Sequence, residues 1–289
     1  MKVRFFTFEQ YHGKGNIGST RIRVHYLIKN WDEAELYKYG ENPDVLIFQK
    51  VYLQPDYRFP EHFEGIKILD ICDPDWLSEQ QNVVETINVM DGVTVPTESL
   101  KEFLEQVTDK PVRVIPDRHH FDTLPPLRPH NGKIRKAVWF GFKQNAELLQ
   151  FAIPSLERRG IHLTVISNDD PAVWRWANDP EKYRESLYEF KKYEHEDILN
   201  ELSNADACIL PEGARPKDRF KSNNRTTLCW FAGVPIAKDS DDLDRLDDPR
   251  ERESDIKTNR TIALDKYQVQ LSVKEMQEFI EELKKVKQQ

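Results

Sequence analysis

The chain has 289 residues, of which 38% are hydrophobic and 32% charged, and a formal net charge of −8. That length suits one large or two ordinary α/β domains, and 15 Phe, 10 Tyr and 6 Trp suffice for packed cores, which excludes a disordered chain. No apolar run approaches the roughly 20 residues of a membrane span, and the acidic balance argues against a general nucleic-acid surface. The opening MKVRFFTFEQYHG turns polar too early for a secretory signal and reads as a first strand. Cys72, Cys208 and Cys229 form no C-x-x-C pair and lie in apolar strand or helix patterns, so buried reduced thiols of a cytoplasmic protein are expected.

In chain order, VRFFTF (3–8) is followed by GKGNIGSTRIR (13–23). Gly13, Gly15 and Gly18 satisfy G-x-G-x-x-G, the spacing that cradles a dinucleotide pyrophosphate. They nearly make a triphosphate loop too, but Ser19 stands where its lysine belongs. The intervening EQYH lengthens the turn that a dinucleotide loop keeps tight. The stretch therefore reads as a long loop at the strand's carboxyl end, with Ser19 or Thr20 capping the next helix. An oxidoreductase using the Gly13-Gly15-Gly18 loop stays open as an alternative.

Val24, Leu27, Ile28 and Trp31 then mark a helix face. Strands follow at DVLIFQ (44–49), IKILDI (66–71) and VRVIP (112–116), with weaker runs at AELYKY (34–39) and GVTVP (92–96). Between the last two runs, Thr97 caps a helix whose apolar face is Leu100, Phe103, Leu104 and Val107. The D-x-D of DPD (73–75) matches a metal motif, but two aspartates flanking a proline after a strand are expected to turn the chain into a helix. His119-His120 lacks the partners of a zinc set and is expected in a loop.

A proline-rich stretch, DTLPPLRPHNGK (122–133), reads as a linker. The alternation restarts with strands KAVWFG (136–141), HLTVIS (162–167), DACILP (206–211) and VPIAK (234–238), and helices about 145–158, 195–204 and 222–232. DSDDLDRLDDPRERESD (239–255) is expected to be a solvated loop and helix face. Ser272 and Glu275 have the spacing of a capping box for a last helix. The fold class expected is α/β, two Rossmann-like doubly wound domains facing a cleft. Residues 1–125 would form the first domain and 126–270 the second, with 271–289 a helix that returns to the first.

The segment PEGARPKDRFKSNNRTTLCWFAGVP (211–235) reverses the sign of the chain locally, with Arg215, Lys217, Arg219, Lys221 and Arg225 against Glu212 and Asp218. It begins at a strand's carboxyl end, where open α/β sheets bind ligands. Ser222, Asn223 and Asn224 stand at the start of a helix that Gly233 ends. Cations at a helix amino terminus suit a phosphate or diphosphate.

KSNNRTTLCWFAGVPI resembles the K-S-x-N-[KR]…A-x-G-x-P segment of glycosyltransferases of the GT-B architecture, of the family 4 and family 1 type. VWFGF (138–142) resembles the opening strand of their second domain, and EDILNELSNADACILP (196–211) their helix and buried strand. The resemblance implies a metal-independent transferase with no required cofactor and a nucleotide diphosphate-sugar, UDP- or GDP-linked, as co-substrate. It implies donor contacts from Gly141, Phe142, Lys143, Lys217, Lys221, Ser222, Asn223, Asn224 and Arg225, with Tyr193 and Glu194 at the base and Glu212 a possible sugar contact. The first loop (Gly15, Gly18, Ser19, Arg21 and Arg23) would reach the acceptor or the phosphate. Asp73, Asp75 or His12 would be the general base of an inverting enzyme. The acceptor could be a glycan, a lipid-linked glycan, a protein or a modified nucleobase, with no integral membrane segment. One departure stands out: the two glutamates that many such enzymes carry fall here on Phe220 and Leu228. A non-catalytic nucleotide-binding protein of the same fold is therefore the other alternative.

Overall fold

The computed structural model describes residues 1–13, 15, 17–55, 57–77, 82–213 and 215–288. Lys14 and Asn16 of the glycine-rich stretch and Ala214 of the basic segment lie outside the described residues. The chain forms two compact units: unit 1 is Met1–His120, Arg215–Asn223 and Tyr267–Gln289, and unit 2 is Phe121–Ala214 and Asn224–Lys266. The sequence suggested contiguous blocks, whereas nine residues of the basic segment belong to unit 1.

Unit 1 has six strands, β1 (Val3–Thr7), β2 (Ala34–Leu36), β3 (Val45–Gln49), β4 (Ile66–Asp70), β5 (Gly92–Val95) and β6 (Val112–Val114). They form one parallel sheet in the order β2-β1-β3-β4-β5-β6, with Phe5 opposite Ile47 and Ile47 opposite Ile68. Successive side chains alternate faces, so the near-continuous apolar strands are buried on both sides. Val3, Phe5, Ile47 and Ile68 meet Val24, Leu27 and Trp31 together with Met276, Phe279 and Ile280 of the helix Val269–Lys287. On the opposite face Phe6, Leu46, Phe48 and Leu69 meet Val83, Ile87, Leu100 and Leu104.

The segment 215–223 is anchored to unit 1 by Phe220, which is 3% exposed. Its ring stands edge-on to Trp76 and Phe103, which themselves stack at 4.4 Å. Burying one such side chain contributes about 1.5–3 kcal/mol. An apolar residue in the middle of a basic loop was the signal for this.

Several local expectations change. EQYH is not loop: Phe8–His12 is a short helix with a capping box between Thr7 and Gln10, ended by Gly13 at φ +63°. The next helix starts at Gly18, so Ser19 and Thr20 are inside it, and the Thr20 hydroxyl donates to Gln49 (3.1 Å). Its second turn, Arg21–His25, is π-helical. Ser272 is not a cap either. It lies in the first turns of Val269–Lys287, where its oxygen and the Glu275 carboxylate both accept from Arg118.

Unit 2 has five parallel strands, β7 (Lys136–Phe140), β8 (His162–Ser167), β9 (Tyr188–Lys192), β10 (Ala207–Ile209) and β11 (Ile236–Ala237), in the order β11-β10-β7-β8-β9. The stretch 122–133 carries no helix or strand and belongs to unit 2. The charge run 239–255 is mostly helical, in Ser240–Leu246 and Pro249–Lys266. Arg252 in that run is fully buried, donating to the carbonyls of Leu246 and Gly132, rather than solvated. Among the described residues no helix is long and apolar enough to cross a membrane.

Candidate functional site

In unit 2, counted from β9, the sheet runs third, second, first, fourth, fifth strand, the doubly wound order whose direction reverses between β7 and β10. Ligands bind such sheets beyond the carboxyl ends at that reversal. Here β7 runs into Gly141, at φ +155°, whose N–H donates to the Ile166 carbonyl (3.1 Å). A Cβ at this position would meet the Trp139 ring at 3.2 Å and Arg225 Nη1 at 3.4 Å. Arg225 lies in the first turn of the helix Asn224–Ala232, and its Nη1 donates to the Phe140 carbonyl (3.4 Å). Leu228, Cys229, Phe231 and Ala232 are buried and fix that helix to the unit. The glycine therefore lets a guanidinium at a positive helix end lie against the backbone at the end of the first strand.

The other expected residues of unit 2 surround this edge less closely. Phe142 is exposed; the Lys143 amide donates to Asn168 (2.9 Å) and its ammonium pairs with Asp169 (2.6 Å), holding that carboxyl below its usual range. Tyr193 donates its amide to the Ser167 carbonyl, and its hydroxyl is 3.2 Å from His195 Nδ1. Glu194 is exposed, and Glu212 pairs with Lys238. Gly141→Ala is expected to cost about 1–3 kcal/mol through backbone strain, read as a lower Tm; an unchanged Tm would show that Trp139 yields without cost.

The sheet of unit 1 reverses between β1 and β3. Immediately after β3, Lys50 adopts φ +54°, a conformation costly for a non-glycine residue. Its ammonium lies 2.8 Å from Asp73 and 3.3 Å from Asp75, and the Tyr52 hydroxyl donates to Asp75 (2.6 Å). Burial pushes both carboxyls up. For Asp73 the Lys50 charge and hydrogen bond, with the Cys72 thiol, outweigh burial and hold it below its usual range, whereas Asp75 stays raised. Burial likewise keeps the Cys72 thiol protonated. Asp73 is thus held as a carboxylate. Among the described residues no group of three or more His, Cys, Asp or Glu could hold a metal, and Asp75–Leu77 is the turn expected of DPD.

Arg23 requires a correction. Expected at a phosphate or an acceptor, it is 5% exposed, with its guanidinium on both oxygens of Asp70, on Asp117 and on the Ile115 carbonyl. Asp117 also accepts from the Ser222 hydroxyl (2.5 Å), so Ser222 ties its segment to unit 1 rather than capping a helix. Asn223 donates to the Tyr267 hydroxyl (2.8 Å). Lys221 and Arg215 share Asp218, whose carboxyl Arg215 and Lys221 hold down to about 2, and Lys217 is exposed. His12 is exposed, its ring 4.1 Å from Phe8 and 4.8 Å from Tyr11. Gly15 is exposed, Gly18 and Ser19 open the helix, and Arg21 begins its π turn. Phe220 and Leu228, at the glutamate positions, are both buried. Lys50 and Tyr52 were missed, although they follow the strand DVLIFQ directly.

No family model and no curated protein matches the chain. Solved structures do. HepE of Anabaena in complex with UDP and glucose is 9% identical, with a TM-score of 0.68 over 97% of this chain and 99% of that one. T4 phage BGT in complex with its UDP-glucose substrate is 10% identical, with a TM-score of 0.60 over 97% and 99%. A mutant of S. aureus TarM in complex with Fondaparinux, alpha-GlcNAc-glycerol and UDP is 12% identical, with a TM-score of 0.58 over 82% of this chain. The fold is GT-B. The chain spans about half the length of the first solved structures it matches, 55% for TarM. The GT-B fold accounts for both parallel sheets, each with its reversal point, and agrees with the fold class read from the sequence.

Proposed function

We propose that the chain is a glycosyltransferase that moves a sugar from a nucleoside diphosphate-sugar, a UDP-sugar in the first instance, to an acceptor hydroxyl. The observation that carries this is the edge of unit 2 where Gly141, lacking a Cβ, lies under Arg225 at a helix amino terminus. In the reaction the bond between the sugar C1 and the β-phosphate oxygen breaks while the acceptor oxygen attacks C1, so charge builds on the departing diphosphate. Arg225 and the first N–H groups of Asn224–Ala232 are suited to stabilise that charge, and no metal is invoked. The acceptor proton needs a base, and Asp73, kept ionised by Lys50, is the residue proposed. HepE and T4 phage BGT, which carry UDP or UDP-glucose, support the choice of UDP. A cytoplasmic location is proposed from the three buried free cysteines.

The test is a thermal-shift series with UDP, GDP, ADP, CDP and dTDP. UDP is expected to raise Tm, since ligand at 100 times Kd adds about 2.7 kcal/mol, and Arg225→Ala should remove the increment while leaving the unliganded protein folded. No stabilisation by any diphosphate sinks the proposal. The buried Phe220 and Leu228 favour a second reading, a nucleotide-binding protein without transfer. It requires UDP stabilisation together with no release of UDP from UDP-sugars.

A further inference from the structure

Unit 2 leaves one side of its sheet open. The outward backbone groups of an outer strand are a template for further pairing, and short outer strands limit it. Three of the four outer strands here are cut short: β2 and β6 have three residues and β11 has two. The fourth, β9, has five and pairs with β8 along its whole length. At the ends of that ladder the Leu187 carbonyl accepts from Leu163 (2.7 Å) and the Tyr193 amide donates to Ser167 (2.9 Å). Residues 189 and 191 therefore turn their backbone groups toward β8, and the N–H and C=O groups of Tyr188, Phe190 and Lys192 point outward. Among the described residues nothing bonds to those outward groups.

The side chains of this strand are self-complementary. It reads Tyr-Glu-Phe-Lys-Lys. Set antiparallel against itself about Phe190, it puts Phe190 opposite Phe190, Tyr188 opposite Lys192, and Glu189 opposite Lys191. The outward-facing residues then form the hydrogen-bonded pairs, and Glu189 with Lys191 forms the closer pairs between them, each joining opposite charges. Registers centred on Glu189 or on Lys191 would set like charges against each other, so the charges select one register. Lysines on an edge ordinarily deter pairing, but in this register each meets a glutamate or a tyrosine. Glu189 is exposed, and the half-buried Lys191 on the same face is held by Glu201 (2.7 Å) of the helix Ile198–Ser203.

We propose that the occupant of this edge is a second copy of the chain. Two chains join β9 to β9, antiparallel, as a two-fold symmetric dimer in which the sheet of unit 2 continues into that of its partner. Antiparallel joining sends the carboxyl ends of the two sheets in opposite directions, so the two Gly141–Arg225 edges point away from each other. The dimer does not depend on the transferase reading.

The test is sedimentation equilibrium of the full chain from about 1 to 100 μM. At the upper end the mass is expected to reach twice the 34.1 kDa of one chain. Glu189→Lys and Lys191→Glu, each alone, should weaken association on the order of 10- to 100-fold, since each sets like charges opposite one another twice. An equimolar mixture of the two should dimerise again, because every lysine then meets a carboxylate. Lys192→Pro removes an outward N–H without touching the ladder to β8, and should also weaken association. A wild type that stays monomeric throughout, a dimer indifferent to these substitutions, or single variants that mixing does not rescue overturns the proposal. UDP stabilisation that persists in the monomeric variants separates loss of the dimer from loss of the fold.

Discussion

Arg23→Ala is expected to destabilise unit 1 by about 3–5 kcal/mol, the cost of leaving buried charges without a partner. The guanidinium contacts Asp70 at 2.6 and 2.8 Å and Asp117 at 2.9 Å, and its side chain is only 4% exposed. Burial alone would lower its pKa, but Asp70 and then Asp117 outweigh burial and raise it, so the charge persists at every accessible pH. At roughly 2–4 °C per kcal/mol in a domain of this size, Tm should fall by about 6–20 °C. Arg23→Lys keeps the charge but loses the planar fork that spans both oxygens of Asp70, so it should recover only part. A fall below about 2 °C in Arg23→Ala would mean that the carboxylates find water or protons at little cost. Because Asp117 also accepts from Ser222, segment 215–223 should become more susceptible to proteolysis in the same variant.

Lys50→Met should give the second largest effect, with a distinctive pH dependence. Lys50 lies between Asp73 and Asp75, and Asp73 is half exposed, so the expected loss at pH 7 is about 1–3 kcal/mol rather than the full cost of a broken buried pair. In the wild type the Asp73 pKa lies below its unfolded value. Its contribution is therefore complete above the unfolded pKa and is lost as pH falls through the folded one. In the variant, burial and the mutual repulsion of Asp73 and Asp75 would raise both carboxyls above their unfolded values. The native state then binds more protons, and the variant gains stability as pH falls from 7 toward 4. The gap in Tm between wild type and variant should be widest at pH 7 and narrow toward pH 4; a constant gap would show that Lys50 contributes packing alone.

The sheet was legible because its strands are short continuous apolar runs, and ten of the eleven fall within runs that stand out by eye or nearly so. Tyr188–Lys192 did not, because it is an edge strand of only intermediate burial, and its Tyr-Glu-Phe-Lys alternation is short. Arg23 was misread because the π turn at Arg21–His25 shifts the register, placing a residue adjacent to the apolar stripe inside it. Arg252 was hidden for a similar reason, in a run whose charge suggested solvent. At the site, Gly141 and Arg225 could be found from strand, glycine and helix start. The pairing of Lys50 with Asp73 could not, since it joins the ends of two strands 23 residues apart in sequence.

The last helix, Val269–Lys287, supplies Met276, Phe279, Ile280 and Leu283 to the same core as Val3 and Phe5. On the ribosome, the first 120 residues therefore emerge long before the helix that covers one face of their sheet, and every residue of unit 2 is made in the interval. Unit 2 is positioned to fold first although it is encoded second, while unit 1 waits with an uncovered apolar surface that invites a chaperone. Arrest of synthesis shortly after residue 266 would present that intermediate directly.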